Sequence, residues 1–244
     1  MTDFSKRSHQ KELLDDPRIP FEDIKRNMLE LNTVNTWLGG HKIIIEGVKK
    51  LLSNLKTISI CEIGSGGGDN LFAIARWCHK HNIKAHLTGI DKNANCIEFA
   101  QQQYPQFNFI CSDYKYAVLN HQPDIIFNSL FCHHFISEQV VEIINWMAQH
   151  AAKGFFISDL HRHPAAYYSI KYLTKLFSKS YLVKQDAPLS VLRGFTKKEW
   201  MSILKDSGNQ HANINWKWAF RHLIVAPLPA TTNPLNSNDS STAI

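Results

Sequence analysis

The 244-residue sequence predicts an α/β fold built on a doubly wound, mostly parallel sheet of seven strands. Three observations predict it. The apolar run Ile58-Ser59-Ile60-Cys61-Glu62-Ile63 enters a glycine-rich turn, Gly64-Ser65-Gly66-Gly67-Gly68-Asp69, and then the helical pattern Leu71, Ile74, Ala75, Cys78. That is a strand, a tight turn and a helix. A second apolar run, Leu87-Thr88-Gly89-Ile90-Asp91, ends in an acid at the distance of a ribose-binding carboxylate. Strand and helix periods then alternate as far as Ser158, the pattern of a sheet covered on both faces.

The elements follow in order. Leu13-Leu14-Asp15-Asp16-Pro17 and Ile19-Pro20 read as irregular chain, and a helix begins near Phe21 with Ile24, Met28, Leu29 and Leu31 on one side. A second helix holds Ile43, Ile44, Gly47, Val48, Leu51 and Leu52. Residues 1–56 are therefore expected to form a helical cap over the mouth of a cofactor site. The main domain, 57–228, has strands to Ile63 and Asp91, helices from Asp69 and over 93–104, strands around 107–111 and 124–128, a helix over 137–150 and a strand over 154–158. Ligands bind such sheets at the carboxyl ends of the strands, and the motif residues fall there.

After Asp159 the alternation stops. Pro164 opens a helix with the mixed stripe Tyr168, Tyr172, Leu173, Leu176 and Phe177, running to about Tyr181. Residues 164–195 read as a lid inserted after the fifth strand, over the acceptor side of the site. The capping box Thr196-x-x-Glu199 starts the next helix, which stops near Gly208. Strands follow around 214–218 and 220–226. The tail, 229–244, is rich in proline, asparagine and serine and lacks aromatics, so disorder is expected there. No internal repeat is present.

Composition sets bounds. Hydrophobic residues make up 44% and charged residues 20%, ordinary for a globular protein able to bury a core without disulfides or metals. The five cysteines form no C-x-x-C pair, which argues against a zinc ribbon or disulfide framework and for a reducing, cytoplasmic setting. The first residues lack the apolar core of a signal peptide, and no run reaches the length of a membrane span. The net charge of +6 is spread over scattered lysines and arginines, so no nucleic acid partner is expected.

The turn chooses the ligand. Gly64 and Gly66 let the chain bend sharply and leave no Cβ against a ligand, with helix N–H groups beyond them. A dinucleotide turn places a third glycine where this chain has Asp69, and an acid there repels a pyrophosphate. A ligand with sulfonium and ammonium groups tolerates it, and Glu62 suits an amine for the same reason. Glu-Ile-Gly-Ser-Gly-Gly-Gly followed by Gly-Ile-Asp resembles motif I and the acidic loop of class I S-adenosylmethionine-dependent methyltransferases. The likeness runs from Thr57 to Asp159, through Cys111-Ser112-Asp113-Tyr114 and Pro123-Asp124-Ile125-Ile126-Phe127-Asn128-Ser129. More narrowly, Asn35-x-Trp37-Leu38-Gly39-Gly40, Phe131-Cys132-His133-His134, Asp159-Leu160-His161-Arg162 and Asp186-x-Pro188-Leu189-Ser190-Val191-x-Arg193-x-Phe195-Thr196 resemble a bacterial methyltransferase group often linked to aromatic or polyketide metabolism.

The resemblance implies S-adenosyl-L-methionine as cofactor and a Rossmann-like methyltransferase fold. It implies cofactor contacts at Glu62, Gly64, Ser65, Gly66, Asp91, Lys92, Asp113, Tyr114 and Asn128. Asp91 would accept hydrogen bonds from both ribose hydroxyls, or else only face a helix dipole. Asp113 would meet the adenine amino group, or only form a turn. An imidazole titrates near neutrality and suits a general base, which nominates His134, with His133 and His161 beside it. The alternative is that these histidines only pack or bond to backbone. Histidines also ligate metals, but no carboxylate triad or spaced histidine pair accompanies them, so no metal is expected. Arg162 and Arg193 would recognise an anionic acceptor, or pair with Asp159 and Asp186 to hold the lid. Trp37, Tyr167, Tyr168, Tyr172 and Trp200 would line an aromatic acceptor pocket.

The function expected is methyl transfer to a small hydroxylated or carboxylated aromatic or polyketide-type acceptor, by O-methylation, with C-methylation as the rival. Two other classes remain. A nicotinamide-dependent oxidoreductase would use the same fold, and Tyr167 and Lys171 have the required Tyr-x-x-x-Lys spacing, though in the lid. A module that binds S-adenosylmethionine without turnover is the other.

Overall fold

A computed structural model describes residues 2–16, 18–52 and 56–229. The seven strands are β1 (Thr57–Ile63), β2 (Lys84–Asp91), β3 (Asn108–Cys111), β4 (Ile125–Ser129), β5 (Gly154–Leu160), β6 (Asn213–Lys217) and β7 (Arg221–Pro227). They form one sheet in the order β3-β2-β1-β4-β5-β7-β6. β1 through β5 run parallel, while β7 is antiparallel to both β5 and β6. Strand order reverses between β1 and β4, so the crevice for a ligand lies beyond the ends of those strands.

Among the described residues eight α-helices accompany the sheet: α1 (Phe21–Trp37), α2 (Gly40–Leu51), α3 (Asp69–Lys80), α4 (Ala94–Gln103), α5 (Ser137–His150), α6 (Pro164–Phe177), α7 (Tyr181–Arg193) and α8 (Lys197–Asp206). Two apolar layers result. On one face Ile143, Ile144 and Met147 of α5 and Trp200, Ile203 and Leu204 of α8 cover Cys61, Ile126 and Phe155. On the other, Ile44, Val48 and Leu51 of α2 join Leu71 and Ile74 of α3 over Ile58, Phe127 and Phe156. Side chains of one strand alternate between the two layers, as the pleat requires.

Two expectations are corrected here. Of the N-terminal helices, only α1 reaches the cavity described below; α2 is part of the sheet's own covering, because its stripe of Ile43, Ile44, Val48 and Leu51 is apolar enough to bury. The helix opened by Pro164 ends at Phe177, and a second, α7, spans Tyr181–Arg193 with Pro188 inside it. Ser180 caps α7 by accepting from the Val183 N–H, and Pro188 disguises the element in the sequence. No residue of 164–195 lines the cavity itself, while α7 packs on the N-terminal segment and the histidine turn that do. The tail expectation, 229–244, lies outside the described residues apart from Pro229.

Candidate active site

A cavity of about 330 Å³ lies at the carboxyl ends of β1, β2 and β4. Gly64, Ser65 and Gly66 after β1, Asp91 and Lys92 after β2, and Asp113 and Tyr114 after β3 all line it. Seven of the nine residues nominated for the cofactor are therefore brought together. Gly64 and Gly66 have positive φ, 68° and 49°, and an added Cβ at Gly66 would meet nothing within 4 Å, so that amide borders open space. Asp91 is fixed at both oxygens: Oδ2 accepts the Gly66 N–H at 2.9 Å and Oδ1 the Asn93 N–H at 2.9 Å. The carboxylate is thus locked to the turn, with lone pairs left for a ligand. Asp69 also lines the cavity, 3.0 Å from His41 Nε2.

Glu62 and Asn128 do not line the cavity. Glu62 is buried behind the turn, accepting from Asn70 Nδ2 at 2.7 Å through Oε1, while Oε2 has no partner. Burial pushes its carboxyl well above the usual range, with Asp69 and Asp91 adding to the effect against the Asn70 bond. Asn128 faces the core: its Oδ1 accepts from Cys132 Sγ and its Nδ2 contacts Met147 Sδ. Every residue of β4 is buried, Asn128 among them. Side chains that sequence reasoning missed close the cavity instead: Asn27, Met28 and Asn32 of α1, Cys96 of α4, and Leu130, held at φ 52° between β4 and the histidine turn. A positive φ in leucine is uncommon and marks a constrained backbone. Only the amphipathic period of α1 hinted at any of these.

At the other end of the cavity the 3-10 turn Cys132–His134 meets the N-terminal segment. His134, Asp15, Leu14, Phe131 and Phe135 form this wall. His133 is buried behind it, with Nδ1 2.7 Å from Asp159 Oδ1, and its backbone N–H donates to Asp159 Oδ2 at 3.0 Å. Burial alone would raise the Asp159 carboxyl, but the His133 imidazole and these hydrogen bonds hold it below the ordinary value. His134 has Nδ1 3.4 Å from Asp15 Oδ1 and Nε2 3.8 Å from Glu12 Oε2. Glu12 is buried, which raises its carboxyl, and it also stands 3.7 Å from His133 Nε2. The sequence nominated the two histidines; Glu12 and Asp15 come from more than a hundred residues away.

The arginines have neither of the roles expected. Arg162 pairs with Glu199, at 2.8 and 3.1 Å, and Arg193 donates to the carbonyls of His133, His134 and Gln10. Asp186 accepts the backbone N–H groups of Leu13 and Leu14. Both guanidiniums are buried and tie the chain together, away from the cavity. None of the nominated aromatics lines it either: Trp200 is fully buried against Phe195, Trp37 is 84% exposed, Tyr167 and Tyr168 pack on Phe4, and Tyr172 is exposed. Aromatic residues that do line it are Phe131, Phe135 and Tyr114.

His161 also lies off the cavity, with its ring 4.6 Å from that of His222. Burial, then the neighbouring His161, pushes His222 down to about 4, against a smaller opposing effect of Asp159. An ordinary histidine titrates near 6.5. The unfolded chain therefore binds the extra proton first, and stability present above pH 6.5 is lost as pH falls toward 4, by up to about 3 kcal/mol. Urea unfolding at pH 7.5 and pH 5 is expected to reveal that loss in the parent and a smaller one in His222→Phe. Equal acid sensitivity in both would remove His222 as its source.

Residues 60–154 match the model of the family described as a methyltransferase domain. No curated protein matches the sequence. Among solved structures, the plantazolicin methyltransferase BpumL in complex with SAH aligns at TM-score 0.64 and 17% identity, over 88% of this chain and 91% of that one. A provisionally assigned O-methyltransferase from Nostoc punctiforme PCC 73102 aligns at TM-score 0.56 and 13% identity, covering 82% of this chain. The chain spans 59% of the length of that Nostoc protein. The matched segment thus carries a methyltransferase domain, and the strand order is that of the Rossmann-like methyltransferase fold. The residues present fit the cofactor, with an open amide at Gly66, an anchored carboxylate at Asp91 and an unpartnered buried oxygen at Ser65 Oγ on the cavity wall. Among the described residues no helix is long and apolar enough to cross a membrane.

Proposed function

We propose that this enzyme methylates an oxygen of a small hydroxylated or carboxylated aromatic or polyketide-type acceptor. The observation that carries the reading is the two-ended cavity. One end is the glycine turn with Asp91, Lys92, Asp113 and Tyr114; the other is an apolar wall of Leu14, Phe131 and Phe135 interrupted by His134 and Asp15. An aromatic or alkyl body suits the apolar wall, and a hydroxyl suits the polar interruption. The bound cofactor supplies an electrophilic methyl group on a sulfonium.

This chain's residues do the rest. The turn and Asp91 hold the adenosyl end, Asp113 and Tyr114 the base. α1 closes over them and excludes water, and alignment of the acceptor oxygen provides much of the acceleration. The oxygen must also be made nucleophilic, and the Glu12, His133 and His134 corner is the equipment for it. The BpumL complexes with desmethylPZN analogs and SAH support an acceptor binding beside the cofactor in this fold, and the Nostoc protein's name supports oxygen as the atom methylated.

Incubation with labelled S-adenosylmethionine and a panel of phenols, aromatic acids and polyketide-like hydroxy compounds is expected to yield labelled methyl ethers or esters. Label fixed on carbon would replace this reading by C-methylation, and cofactor binding without transfer to any acceptor would favour a binding module. Asp91→Ala is expected to weaken S-adenosylmethionine binding by roughly 1–3 kcal/mol in calorimetry. Unchanged affinity would take Asp91 out of the ribose site.

A further inference from the structure

Three side chains turn their donor atoms toward one another at the corner beside the cavity. Asp159 Oδ1 lies 2.7 Å from His133 Nδ1, which leaves the ring's Nε2 for other partners. That nitrogen faces Glu12 Oε1 across 3.7 Å, while His134 Nε2 faces Glu12 Oε2 across 3.8 Å, both beyond hydrogen-bond length.

We propose that Glu12, His133 and His134 form a binding site for a divalent transition-metal ion of the Zn2+ or Fe2+ kind. One donor atom from each residue lies within 4.8 Å of the others. Metal–ligand bonds of about 2.0–2.2 Å put neighbouring donors roughly 3–3.5 Å apart, so side-chain movements of ångström size close the set around an ion. Two imidazoles and one carboxylate are a recurrent donor set that leaves positions open for other ligands, and they favour these metals over Mg2+ or Ca2+.

The surroundings point the same way. Metal-binding histidines characteristically have a carboxylate behind the other ring nitrogen. Both have one here: Asp159 at His133 Nδ1 and Asp15 at His134 Nδ1, 3.4 Å away. Ser190 Oγ donates to Glu12 Oε1 at 2.8 Å and orients it. The charges facing the corner are Glu12, Asp15, Asp159 and Asp186 against Arg7 and Arg193, with Arg221 buried near Asp159. Arg193, whose Nε is 3.9 Å from Glu12 Oε1, closes the side away from the cavity.

The ion's role rests on the methyl-transfer reading; its binding does not. His134 lies on the cavity wall, so an acceptor hydroxyl there can take an open position and become more acidic. Its proton leaves to water, the oxygen lone pair forms the new O–CH3 bond, and the S–CH3 bond breaks with its electrons kept on sulfur as a neutral thioether.

Tag-free protein stripped with a chelator and titrated with Zn2+ is expected to bind one equivalent in calorimetry. Glu12→Gln and His134→Ala should each weaken that step at least tenfold, and Asp159→Asn by about 10–100-fold. Co2+ in place of Zn2+ should give visible d–d absorption that the first two variants abolish. S-adenosylmethionine affinity serves as the folding control for each variant. Metal binding that is absent, or that is the same in folded Glu12→Gln and His134→Ala, would overturn the proposal. Full methyl transfer by stripped protein would overturn the ion's catalytic role and leave the function intact. Metal binding in a protein with no cofactor affinity would instead sink the function and leave the site.

Discussion

His134→Ala is expected to lower turnover about a hundredfold or more, with S-adenosylmethionine affinity little changed. The two readouts separate because the cavity has two ends. Gly64, Ser65, Gly66 and Asp91 hold the cofactor end, whereas His134 stands with Asp15, Phe131 and Phe135 at the other. Single-turnover kinetics with saturating cofactor measure the chemical step directly. A rate within a few-fold of the parent would mean that the imidazole only packs there. Both ring nitrogens already face carboxylates, Asp15 and Glu12, so the residue acts as one member of a corner rather than alone.

Arg193→Ala carries the largest expected effect on stability, about 3–5 kcal/mol, the range for breaking a buried ion pair by removing one partner. The guanidinium is 6% exposed and donates to the carbonyls of His133, Gln10 and His134 at 3.1, 3.0 and 2.8 Å. It also lies 3.4 Å from Asp15 and 3.9 Å from Glu12. Its loss would leave buried carbonyls without donors and two carboxylates without their cation. Because it joins α7 to the histidine turn and the N-terminal segment, the chemical step should slow as well. Denaturant unfolding checks the first effect, and Arg193→Lys sharpens it: lysine keeps the charge but cannot reproduce the planar fork, so most of the loss should persist. A cost below about 1 kcal/mol would show that other contacts hold the corner.

Much of the cofactor end was legible because its residues are local in sequence. A strand, a turn and a helix placed Gly64 and Gly66, and one further strand placed Asp91, since each position follows from the period of a single element. Asn128 lies off the cavity, and its place was hard to read for the complementary reason: a strand buried on both faces gives no alternation from which to tell which side chain faces the cavity. Arg162 and Arg193 failed because a buried guanidinium pairs with whatever carboxylate or carbonyl the packing brings near. The nominated aromatics failed because aromatic side chains serve the core as readily as a pocket.

By itself the sequence determined the sheet, its glycine turn and the class of cofactor. These rest on backbone conformation and apolar period, which are written in neighbouring residues. Only the tertiary structure decided what the acceptor end is made of. Glu12 and Asp15 reach His133 and His134 across more than a hundred residues, drawn there by Arg193 and by the Asp186 bonds to Leu13 and Leu14. No local pattern records such a meeting, because the free energy that fixes it belongs to burying and pairing charges from three separate segments.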